Sequence, residues 1–111
     1  MILAACADES ISAFADPAGV YRWDDGDATI AFPAPGTISG KAPCNSYVAE
    51  QTAPYPWFAI GPIRATQLAC PALAQEKDFF EALATMTIAE VSGPILILSN
   101  EAGAEMTFRA E

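Results

Sequence analysis

The chain of 111 residues contains no histidine. That removes the commonest general base, the usual metal ligand and the side chain that titrates near neutrality. A Ser-His-Asp or Cys-His nucleophile goes with it. Basic residues are scarce too: five Lys and Arg stand against fourteen Asp and Glu, giving a net charge of −9. A surface of that sign repels phosphate backbones, so nucleic acid is excluded as an expected partner. It also repels anionic lipid, so a membrane would be reached only through an anchor. No apolar run approaches the ~20 residues that a membrane-spanning helix needs. There is no internal repeat and no low-complexity tract.

What remains is a small folded chain. Hydrophobic residues make up 52% of it, enough for a core and too many for a disordered segment. The length fits one domain whose core is small, so a cross-link would help it. The start, Met1-Ile2-Leu3-Ala4-Ala5-Cys6-Ala7-Asp8, is similar to a bacterial lipobox, in which the cysteine is lipidated after signal cleavage. A secretory signal also needs a basic n-region and a 7–15-residue apolar stretch, and neither precedes Cys6 here. We therefore read residues 1–18 as a truncated signal remnant, with Cys6 as the lipidation site, followed by an acidic tether. Residues 19–111 are read as the domain.

From Gly19 the pattern is that of short strands separated by turn signals. Strands are expected over 20–23, 28–32, 37–39 and 44–49, and residues 63–66 are read as extended. Tyr55 to Ile60 is also strand-like, but Pro54 and Pro56 move it to a sheet edge. On such a strand Tyr55 and Trp57 share one face and Phe58 takes the other, a candidate partner-binding patch beside the simpler reading of half core, half surface. Asp24-Asp25-Gly26-Asp27 lacks the downstream glutamate of a calcium loop, so it reads as a solvated turn.

One helix is expected over about 71–85, with Pro71 at its first position. Phe79, Leu83 and Met86 recur at i, i+4 and i+7, and Phe80 widens the stripe. Glu76 is read as complementing the helix dipole. Three more strands follow, over 87–91, 95–99 and 105–109, joined as hairpins. The sum is α+β: about eight mostly antiparallel strands in a cracked barrel or strongly coiled sheet, with the inserted helix covering it.

Several short motifs occur in a fixed order. They are Ile38-Ser39-Gly40, then Pro43-Cys44-Asn45-Ser46-Tyr47, then Ile60-Gly61-Pro62-Ile63. Thr66-Gln67-Leu68-Ala69-Cys70-Pro71 follows, then Glu76 with Phe79, Phe80, Ala82 and Leu83, then Leu96-Ile97-Leu98 and Met106-Thr107-Phe108. In that order they resemble the META/HslJ-like domain of bacterial envelope proteins. Two departures are that Pro43 replaces a glycine before Cys-Asn, and that the glycine usual after Tyr47 is missing. The resemblance implies a lipoprotein on the periplasmic face of the envelope, outer-membrane anchored and linked to stress or drug tolerance, with no enzymatic activity.

Cys44 and Cys70 fall in two of these framework motifs. In an oxidising compartment they would pair, closing a loop worth about 3 kcal/mol in the chain-entropy model; in a reducing one they would be two buried thiols. Asn45 and Thr66 are read as bonding their own neighbouring backbone. No catalytic residue, metal ligand or cofactor is expected. The expected function is a monomeric, non-catalytic domain that binds or supports another envelope protein. The alternative is a carrier with an apolar cavity between helix and sheet, holding a small apolar ligand or lipid.

Overall fold

The computed structural model describes residues 19–111. Alternating apolar residues generate eight strands: β1 (Val20–Trp23), β2 (Thr29–Ala34), β3 (Thr37–Lys41), β4 (Ser46–Glu50), β5 (Arg64–Ala65), β6 (Ile88–Ser92), β7 (Ile95–Ser99) and β8 (Glu105–Ala110). They form one sheet in the order β5-β4-β3-β2-β1-β8-β7-β6, and every pairing is antiparallel. The single helix among the described residues, α1 (Leu73–Thr85), is inserted between β5 and β6. This is the expected α+β sheet with one inserted helix.

Period-2 alternation places Tyr21, Ile30, Phe32, Ile38, Tyr47, Ala49, Ala89, Leu96, Leu98, Met106 and Phe108 on one face, all buried. That face is covered by α1, which contributes Phe79 and Leu83 with no measurable exposure; Met86, just after the helix, is 3% exposed. Rings interlock where α1 meets β1 and β4. The Trp23 and Phe79 centroids lie 5.2 Å apart, Tyr47 and Phe79 5.8 Å, and Tyr47 and Phe80 5.5 Å. These tilted and edge-on pairs add to area burial. Leu83→Ala should therefore cost about 2–5 kcal/mol, the range for buried leucine truncations. Glu81→Ala, on the exposed side of α1, should change stability by a few tenths. Denaturant melts of both variants check this; equal losses would contradict the seal.

Two expectations fail locally. Residues 55–60 do not form a strand. Tyr55-Pro56 is a cis peptide, and the segment makes only isolated bridges, Gln51 to Ile60 and Trp57 to Ile88. It still covers a sheet edge. Ala89 N–H donates to Pro56 O at 2.7 Å, Phe58 N–H to Thr87 O at 2.9 Å, and Val91 N–H to the Tyr55 hydroxyl at 3.0 Å. Part of the open side of β6 is thus occupied by groups that cannot propagate a sheet. The helix also starts two residues later than expected. Pro71 lies in a turn closed by Leu73 N–H to Cys70 O, 3.2 Å, and Ala72 is the cap residue.

Candidate functional site

Glu76 lies on the same helical stripe as Phe79, Phe80 and Leu83, and its residue is only 5% exposed. A carboxylate on a buried face needs donors. Three N–H groups supply them. Glu76 Oε1 accepts from Cys44 N–H at 3.0 Å and Asn45 N–H at 2.7 Å, and Oε2 accepts from Asn45 Nδ2 at 2.7 Å.

Asn45, 4% exposed, spends the rest of its amide on a second segment. Its Nδ2 donates to Leu68 O at 3.2 Å. Its Oδ1 accepts from Leu68 N–H at 2.7 Å and from the Thr66 hydroxyl at 2.8 Å. Thr66 Oγ1 accepts from Ser46 N–H at 3.2 Å. Asn45 and Thr66 therefore bond each other and distant backbone, not their own neighbours as the sequence suggests. The side-chain amide presents a donor and an acceptor together to Leu68, as a paired strand would. Cys44 and Cys70 are bonded to each other with Cα atoms 5.9 Å apart. One clamp of two kinds, covalent and polar, thus joins the start of β4, the segment 66–70 and the first turns of α1.

The clamp holds an apolar segment out in solvent. Leu68-Ala69-Cys70-Pro71-Ala72-Leu73-Ala74 is seven apolar residues in a row. Leu68 is 67% exposed and Leu73 43%. Leucines are normally exposed singly; here two flank one disulfide on a backbone that Asn45 fixes. We call this the collar.

The candidate aromatic patch takes the half-core, half-surface form that is its simpler reading. Phe58 is in the core, Tyr55 is half-buried with its hydroxyl on β6, and only Trp57, 57% exposed, faces solvent. Cys6 lies outside the described residues. Two of the three turn acids pair with arginines: Asp24 with Arg109 at 3.0 Å and Asp27 with Arg22 at 3.1 Å. Among the described residues no three or more His, Cys, Asp or Glu side chains gather as a metal site would require, and no helix there is long and apolar enough to cross a membrane.

The opposite face of the sheet carries an open, mostly apolar groove of about 490 Å³. Val20, Ala31, Ser39, Lys41 and Glu111 are among its lining residues. Under it Gly40 packs against Thr29, and the Tyr47 hydroxyl donates to Thr29 O at 2.7 Å. Burial holds the Tyr47 phenol well above its ordinary range, so it acts as a neutral donor.

An antiparallel sheet sealed by one inserted helix, clamped by a strand-to-helix disulfide, defines a small α+β module. The META domain family model matches residues 10–111, and the chain belongs to the META domain family. Its fold is similar to that of a protein from Burkholderia xenovorans solved by NMR, at 18% identity and a TM-score of 0.66, covering 91% of this chain and 86% of that one. It is also similar to a DUF4847-family protein from Bacteroides vulgatus, at 20% identity and a TM-score of 0.62. That match covers 74% of this chain and 57% of the other, so the chain spans little more than half of that protein. At such identities the likeness concerns the fold alone. No curated protein matches the sequence.

Proposed function

We propose that this protein is a non-catalytic binding domain of the bacterial cell envelope, and that the collar Leu68–Leu73 docks another envelope protein. The observation that carries this is the rigid presentation of exposed leucines. Glu76 and Asn45 place six buried or half-buried hydrogen bonds behind a segment whose own side chains contribute little to the core. Fixing a loop before binding lowers the entropy cost of docking. The disulfide supports an oxidising compartment, and membership of the META family supports the envelope. Lipid on Cys6 would anchor the domain on the periplasmic face of the outer membrane. The net charge of −9 makes a basic rim the complementary chemistry for the partner.

The test uses the full-length lipidated protein from its native gene. Leu68→Asp should abolish co-purification of the partner with no change in melting temperature, whereas Glu101→Ala, in an exposed turn, should retain it. Equal recovery with both variants would refute the collar. Cys6→Ser should release the protein from the membrane fraction; unchanged association would refute the anchor.

A second reading has its own observation. The open, mostly apolar groove on the outer face of the sheet would take a small apolar ligand or lipid, as a carrier needs.

A further inference from the structure

We propose that Cys44–Cys70 is a site of thiol–disulfide exchange, reducible by a dithiol protein or small dithiol while the domain stays folded, with Cys70 as the leaving thiolate. Both cysteines are half-buried, and Cys70 lies between exposed Ala69 and Pro71, so the bond is open to attack.

The fold does not need the bond to hold its segments. Asn45 and Glu76 tie residues 44–45, 66–68 and α1 together by hydrogen bonds that reduction leaves intact. A disulfide acts mainly on the unfolded ensemble, so its loss lowers stability and leaves the native arrangement in place.

The two cysteines have different neighbours. Cys70 Sγ accepts a hydrogen bond from Ala72 N–H at 3.4 Å, and Ala72 caps the N-terminus of α1. Backbone N–H groups and the positive end of a helix dipole favour a thiolate there. Cys44 N–H instead lies 3.0 Å from the Glu76 carboxylate, whose charge disfavours a second negative charge at Cys44. The better leaving group is the thiol more stable as thiolate.

The exchange then balances as follows. A thiolate of the external dithiol attacks Cys44 Sγ; a mixed disulfide forms at Cys44, the Cys44–Cys70 bond breaks and its electron pair leaves on Cys70. The second thiol of the reductant attacks its own sulfur in the mixed disulfide and releases Cys44, which takes up a proton. The reductant ends as a disulfide, and the domain ends as a dithiol. This step is independent of what the collar binds.

The test is reduction of the whole chain with dithiothreitol, followed by a brief pulse of iodoacetamide and peptide mapping. Near-ultraviolet circular dichroism is recorded beside it. The reduced protein should keep its aromatic signal and a cooperative melt. Cys70 should alkylate at least about tenfold faster than Cys44, since helix N-termini lower thiol pKa values. In denaturant the two should react at similar rates, and oxidised glutathione should restore the bond in the native protein. Loss of the aromatic signal on reduction would overturn the proposal. So would a native Cys44 that reacts as fast as Cys70.

Discussion

Gly40→Ala should cost about 3 kcal/mol or more, at or above the upper end for overpacking a well-packed site. A Cβ built on Gly40 falls onto the Thr29 carbonyl oxygen and stands 2.8 Å from Thr29 C and 3.0 Å from the Tyr47 hydroxyl. Two of these atoms are backbone of β2's first residue and cannot swing away. The third is the phenol whose hydrogen bond to Thr29 O closes the corner. Moving β3 outward would break the register Gly40 to Tyr47 on its other side. Gly61→Ala is the control, because nothing lies within 4 Å of its added Cβ. Urea melts should show a large loss for the first and near-neutrality for the second. Equal stability of the two would mean that β2 and β3 do not approach as described. For a domain of this size, whose total stability is of order 5–15 kcal/mol, Gly40→Ala removes a large fraction.

The second large effect belongs to Glu76. Glu76→Ala leaves Cys44 N–H, Asn45 N–H and one Nδ2–H of Asn45 without their acceptor in a buried site. Unmade bonds of that kind cost about 1–3 kcal/mol each, with overlap because they share one carboxylate, so about 3–5 kcal/mol is expected. Asn45→Asp keeps the shape and reverses one donor. A carboxylate oxygen would then face Glu76 Oε2 at the 2.7 Å now spanned by a hydrogen bond, and the loss should be comparable. Glu81→Ala, one turn on but exposed, should be near neutral. Chemical denaturation at neutral pH ranks the four proteins. If Glu76→Ala behaves like Glu81→Ala, the clamp is not what holds the segment 66–70.

Much of this architecture is legible in sequence because period and turn chemistry are local. β7 falls on residues 95–99 as the alternation predicts, and Phe79, Leu83 and Met86 are buried as their spacing predicts. The failures are places where a long-range contact overrides the local signal. Tyr55 to Ile60 has strand composition, yet its carbonyls and N–H groups are drawn to Thr87 and Ala89, far away in sequence. Pro71 favours a helix start, but the Cys70–Leu73 turn displaces it.

The clamp was half visible. Glu76 sits three residues before Phe79 and seven before Leu83, on the apolar stripe itself. A carboxylate at such a position signals a buried acceptor more strongly than a dipole complement. Its donors, Cys44 and Asn45, lie more than 30 residues away, and no local pattern pairs them with it. The exposure of Leu68 was equally hidden, since a leucine in an apolar run reads as core until the neighbouring backbone is seen to turn outward.

The central claim is that the collar is where this META domain meets its partner. A photoreactive amino acid placed at position 68 of the full-length lipidated protein, in its native envelope, tests it most directly. The account predicts a discrete cross-linked adduct from position 68 and none from position 101, which lies in an exposed turn remote in sequence from the collar. No adduct from position 68, or the same adduct from both positions, would contradict it.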